Sequence, residues 1–234
     1  MIMNLLPKQN KTHRGVIGIE SAIVMIAFVI VAAALSFVVL NMGLSTTQQA
    51  KAAITDSLST VSGSLEVGGT AIGIGHVGPG AINATMFPIS TAGGGAVNLD
   101  PTVTVVSYTA NGIQYGNIFS PSSCLLKSTT YNSINASLVA AQAAGCISKN
   151  PMVTGGATGG FPAATTAIVY FSAQKNTNSV LEGGEEANLV IVYKQVDRPT
   201  QTNSFKAELI PSVGSVLTIT RTIPPILNSY VDLG

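Results

Sequence analysis

The stretch from Val16 to Leu44 constrains this chain more than any other part of it. It is apolar almost without interruption, and no charged residue occurs from Ser21 to Gly43. A helix of that length can span a bilayer. Because it is apolar on every side, it must be covered on every side, by lipid or by protein. Ahead of it, Met1 to Gly15 is polar and carries Lys8, Lys11, His13 and Arg14. Beyond it, apart from Lys51, no lysine or arginine returns before Lys127. That asymmetry predicts a cytoplasmic N-terminus with the bulk of the chain outside.

Three fates are open to such a segment. A secretory signal has an apolar region of about 7–15 residues and is cut at small residues. Ala32-Ala33-Ala34 offers such a site, but the apolar run continues past it. A plain anchor stays in lipid. The third fate is a helix that is kept after maturation and exchanges lipid for copies of itself. The junction Arg14-Gly15-Val16-Ile17-Gly18-Ile19-Glu20 bears on the choice, since a basic residue and a glycine stand where polar chain meets apolar helix.

This junction resembles the class III signal peptide of type IV pilins and archaellins. The run from Ser21 through Leu44 is most similar to archaellins of the crenarchaeal type. The resemblance implies that residues 1–15 form a leader, removed between Gly15 and Val16 by a prepilin-type signal peptidase. It implies a structural subunit of the archaeal flagellum (archaellum), a homopolymer on the cell surface whose precursor sits in the membrane. It further implies an assembly ATPase and a membrane platform as partners. An adhesive type IV pilin shares the same leader and helix and is the alternative. A membrane-tethered binding protein that stays monomeric is a third class.

A bundle of identical apolar helices gains stability mainly from close packing, which small residues permit. Gly18, Ala22, Ala27 and Ala33 are the small residues of the expected assembly face, and Phe28 and Phe37 are its bulky ones. Glu20 is the exception, since an unpaired carboxylate in such a core is costly. Cleavage would free an amine at Val16, roughly one helical turn away. Two readings stay open: Glu20 pairs with that amine, in its own or a neighbouring subunit, or it stands at the membrane interface near a helix N-terminus.

From Ala50 the character changes. Apolar residues recur at Ala50, Ile54, Leu58, Val61 and Leu65, a helical stripe with polar residues between. No proline occurs between Val16 and Leu65. One helix is therefore expected over residues 16–66, about 75 Å long. Its second half is expected to lie against its own domain, with Gly68-Gly69 as the stop.

Residues 67–234 are expected to form a β-rich outer domain, making the whole α+β. The segments 103–108, 166–171, 189–193 and 216–220 are rich in β-branched and aromatic residues and are separated by turn-forming clusters. That pattern suits an antiparallel sandwich or barrel. The tail from Ile210 to Pro225 resembles archaellin C-termini, which implies an immunoglobulin-like sandwich. The glycine-rich stretch from Gly69 to Gly95 is expected to be irregular.

Chemistry-bearing residues are scarce. Charged residues make up 9% of the chain and the net charge is +1, which removes the electrostatic case for nucleic acid. Gly73-Ile74-Gly75-His76-Val77-Gly78 matches the spacing of a dinucleotide loop, but a helix precedes it and Pro79-Gly80 follows, the wrong context. Glu182, Glu185 and Glu186 match no calcium-loop spacing and are expected to be a solvated turn. With His76 lacking any triad or zinc partner motif, no catalytic residue, metal site or cofactor is expected. Cys124 and Cys146 are candidates for a disulfide in an oxidising compartment, against two buried free thiols. Asn83-Ala84-Thr85 and Asn135-Ala136-Ser137 are candidate N-glycosylation sequons at Asn83 and Asn135.

Overall fold

A computed structural model describes residues 14–76, 80–153, 160–225 and 228–234. The polar leader up to His13 lies outside the described residues. The chain divides into two compact units, one ending at Thr55 and the other running Asp56–Gly234. A single helix, α1, covers Arg14–Ser62 and crosses that boundary.

The helix ends earlier than its stripe suggests. Gly63 closes its last turn, donating to the Ser59 carbonyl at 3.0 Å, and Ser64 donates to Val61 at 3.3 Å. Leu65 is not helical; it starts strand β1 (Leu65–Val67) and is buried. The rest of the stripe is exposed. Ile54, Leu58 and Val61 are all exposed, Val61 by 68%. The periodicity is real, but the surface it marks is left open rather than packed.

The outer unit is built from two facing sheets. The larger contains β1, β2 (Ile72–His76), β3 (Ala81–Thr91), β7 (Leu125–Leu126), β8 (Thr166–Ala173), β10 (Glu186–Val192) and β13 (Tyr230–Asp232). Its order is β13-β2-β3-β10-β8-β7, with β1 also paired to β3. All its pairings are antiparallel except β7 with β8. The smaller sheet runs β12 (Leu217–Thr222), β11 (Ser204–Ile210), β5 (Val105–Ala110), β6 (Ile113–Tyr115). A short pair, β4 (Val97–Asn98) with β9 (Val180–Leu181), stands apart.

Alternation along β5 and β11 turns Val106, Tyr108 and Ala110, and Phe205, Ala207 and Leu209, toward the core. There they meet the larger sheet. The rings of Phe87 and Phe205 lie 6.0 Å apart, and those of Tyr108 and Tyr193 lie 5.3 Å apart. Tilted aromatic pairs at such distances add to the burial itself. The long N-terminal helix followed by antiparallel-rich packed sheets agrees with the expected fold class.

Two parts of the outer unit depart from expectation. The stretch from Gly69 to Gly95 is not irregular: it contains β3, an eleven-residue strand in the middle of the larger sheet. Its polar residues obscure it in the sequence, yet they are satisfied internally. Thr85 Oγ1 lies 2.8 Å from Tyr193 Oη, and Asn83 Oδ1 accepts from Arg198 at 3.1 Å. A second helix, α2 (Ile134–Ala143), also occurs where only strands and turns were expected. Ser133 caps it by accepting from the Ala136 amide, and Leu138 and Ala141 are buried.

Behind α2, Cys146 is bonded to Cys124 with their α-carbons 4.9 Å apart. This closes a loop with a sequence separation of 22 residues. In the chain-entropy account such a loop stabilises the fold by about 3 kcal/mol. Replacing both cysteines with serine should therefore lower the guanidinium unfolding midpoint of the outer unit by an amount equivalent to about 3 kcal/mol. An unchanged midpoint would show that the bridge adds nothing.

Candidate functional site

The feature that stands out among the described residues is the surface of α1 itself. Every residue from Gly18 to Val61 is exposed. Phe28 is 73% exposed and Phe37 is 72% exposed, and Ile19, Val24, Val31, Leu35 and Leu40 are also open. Burying one such side chain is worth roughly 2 kcal/mol, so a row of them bare in water is strongly disfavoured. The helix is long and apolar enough to cross a membrane.

The small residues are distributed for close approach. Ala22, Ala27 and Ala33 are exposed between the large side chains. At Gly18 and Gly43 no atom lies within 4 Å of where a β-carbon would sit. Another helix can therefore approach the backbone at these positions.

Several hydroxyls of the helix bond back to its own carbonyls. Ser36 donates to the Ala32 carbonyl at 2.8 Å, Thr46 to Met42 at 2.8 Å, and Thr47 to Gly43 at 2.7 Å. A hydroxyl bonded back to its own helix can enter apolar surroundings without needing an external partner. Glu20 is the one charged side chain in the first half of the helix whose exposure is described, and it sits on the same open surface. Gly15 and Val16 belong to the first turn of the helical backbone.

Where α1 ends, backbone meets backbone within the outer unit. The Ser62 carbonyl accepts from the Gly95 amide at 3.1 Å. A β-carbon on Gly93 would stand 2.9 Å from the Ser62 α-carbon, and one on Gly95 would overlap the Ser62 carbonyl. Gly214 has φ +112°, and a side chain there would overlap the Gly63 carbonyl. These glycines, and the exposed Leu58 and Val61, are functional candidates that sequence reasoning missed. The density of glycine was visible, but its spatial convergence on one helix end was not.

The remaining predicted positions scatter. Asn83 is only 6% exposed and its carboxamide is held by Arg198, while Thr85 is fully buried. In the folded chain Asn83 is therefore largely buried. Asn135 lies on α2 and is exposed, with Oδ1 accepting from Asn150 at 3.3 Å. Glu185 is not part of a solvated turn. It is 2% exposed and accepts from the Lys175 amide at 2.6 Å and from the Glu182 amide at 2.9 Å, so it holds a turn together. Gly73 and Gly75 lie within β2, not in a phosphate-cradling loop before a helix. Val77 and Gly78, which complete that motif, lie outside the described residues. Among the described residues no three metal-binding side chains cluster.

Comparison with known proteins fits this geometry. The family model for archaeal-type flagellin matches residues 15–221. The chain is 34% identical over 235 residues to Probable flagellin 1 of Aeropyrum pernix, covering 96% of this chain and 100% of that protein. Among solved structures, it is similar to the archaeal flagellum of Methanospirillum hungatei (TM-score 0.52, 20% identity, 92% of this chain and 98% of that chain). It is also similar to flagellin FlaB1 of Methanocaldococcus jannaschii (TM-score 0.54, 14% identity, 73% of this chain and 96% of that chain). At those identities the structural likeness shows the fold.

Proposed function

This chain belongs to the archaeal-type flagellin family, and we propose that it is the structural subunit of an archaellum filament, polymerising through α1. One observation carries the reading: the apolar surface from Gly18 to Leu44 is fully open in the single chain. Identical helices packed around an axis cover that surface, and a contact between different faces of successive copies does not close on itself. Such heterologous contacts build open helical filaments. The role is structural, and the filament is an extracellular surface structure. The family match favours this reading over the adhesive pilin.

The precursor starts in the cell membrane with its N-terminus in the cytoplasm. Support comes from Lys8, Lys11 and Arg14 ahead of the helix and from the helix's capacity to cross a bilayer. A prepilin-type peptidase removes the leader after Gly15, and an ATPase with its membrane platform adds subunits at the filament base. The family match begins at residue 15, at the same junction. Neither insertion nor rotation is powered by this chain.

Glu20 takes a specific part in this scheme. Once Val16 carries a free amine, the Glu20 carboxylate is roughly one turn away and is the nearest acid on the helix. Pairing them, within or between subunits, removes an otherwise costly charge from the packed core.

Two substitutions test these claims. Phe28→Asp places a charge in the middle of the packed surface, at a cost of about 3 kcal/mol per copy. Cells should make the chain yet show no filaments by electron microscopy and no swimming. Normal filaments would refute polymerisation through this face. Glu20→Gln removes the pairing charge and should cut filament yield at least severalfold. Unchanged yield would leave Glu20 as an interfacial residue only.

A further inference from the structure

The larger sheet has a second face, turned away from the smaller sheet. Phe87 points into the core, so by alternation Met86 and Pro88 point outward, as does Asn188, which pairs with Pro88. Tyr170 is opposite Asn188 on β8 and shares that face. A groove of about 530 Å³ lies over these residues. At one side stands Tyr131, whose amide donates to the Phe171 carbonyl at 3.0 Å, and whose ring meets Tyr170 edge-on at 6.1 Å. Toward the β13 edge stands Tyr230, 57% exposed.

The floor of this groove holds a polar side chain, Asn188. Asn188 is 6% exposed, and among the described residues its carboxamide has no hydrogen-bond partner. Its neighbours Met86 and Tyr170 bond to each other instead, through Tyr170 Oη and Met86 Sδ at 3.2 Å. The amide is thus left to whatever enters the groove.

We propose that this groove binds a neutral saccharide. A planar amide that donates and accepts side by side matches neighbouring sugar hydroxyls, and tyrosine rings cover the C–H face of a sugar ring. The other chemistries fit poorly. No lysine or arginine lines the groove, and Glu186 at its rim repels anions. A single carboxylate is too little for a metal. An apolar segment would leave Asn188 unpaired, and an added peptide strand pairs with a sheet edge rather than a face. The concave shape, with apolar walls and few polar groups, is the usual form of a small-ligand site. This function is separate from polymerisation, which uses α1. The sugar comes either from outside or from the filament's own surface, where Asn135 follows the groove residue Ile134.

Isolated filaments, first confirmed intact by electron microscopy, are mixed in turn with glucose, mannose, galactose and N-acetylglucosamine, and binding is read by saturation-transfer NMR. One arm uses the natural chain and the other Asn135→Gln, which removes the exposed sequon. Binding in both arms assigns an external sugar; binding only with Asn135→Gln assigns the filament's own glycan. In either case Asn188→Leu and Tyr131→Ala should each weaken binding about tenfold without shortening filaments. No signal from any of the sugars in both arms overturns the proposal, as does equal binding by the two variants. Shortened filaments without any sugar signal would assign the groove to a neighbouring copy and equally overturn it.

Discussion

A helix that is apolar all the way round has no side to show to water. In this chain that condition holds through the first half of α1, where every residue from Gly18 on is exposed. Ser36, Thr46 and Thr47 bond back to their own helix, so these hydroxyls set no polar requirement on the surroundings. Lipid and a bundle of like helices are the two environments that meet the condition. Passage from one to the other involves little change in water contact, so packing decides which prevails. Gly18, Gly43 and the alanines between them leave backbone accessible for that packing.

The outer unit meets different demands. Its core is a two-sheet sandwich whose central strand β10 is buried along its length after Glu186. Polar groups inside it are held by specific partners, as Thr85 is by Tyr193 and Thr165 is by Asp197 at 2.7 Å. A bridge between Cys124 and Cys146 ties the segment around α2. The last turn of α1 is gripped by glycines whose lack of side chains lets backbone touch backbone.

How much of this the sequence displays depends on the kind of signal. The long helix is legible because the absence of charge over Ser21–Gly43 is a one-dimensional property. Strands β8, β10 and β12 are legible because β-branched runs between turns need no tertiary knowledge. Strand β3 is not, because Asn83, Thr85 and Pro88 look like loop residues until Arg198 and Tyr193 arrive from far along the chain. Helix α2 does carry a local signal, with Ser133 as a cap and then Ile134, Leu138 and Ala141 at helical spacing. The stripe at Ile54, Leu58 and Val61 is legible as a periodicity, and its side chains are exposed. Periodicity says that a face will be covered but not by what. Glu185 and Asn188 were opaque for the same reason, since burial of a polar side chain appears only once the fold is assembled.

The central claim is that this helix is kept after maturation and covered by copies of itself. Electron cryomicroscopy of shed filaments, with the N-terminus of the same material sequenced, tests it most directly. The account predicts a chain that begins at Val16 and a central bundle in which Gly18 to Leu44 touches neighbouring helices on all sides. A chain that begins beyond Leu44, or a helix lying outside the filament core with its apolar surface bare, would contradict it.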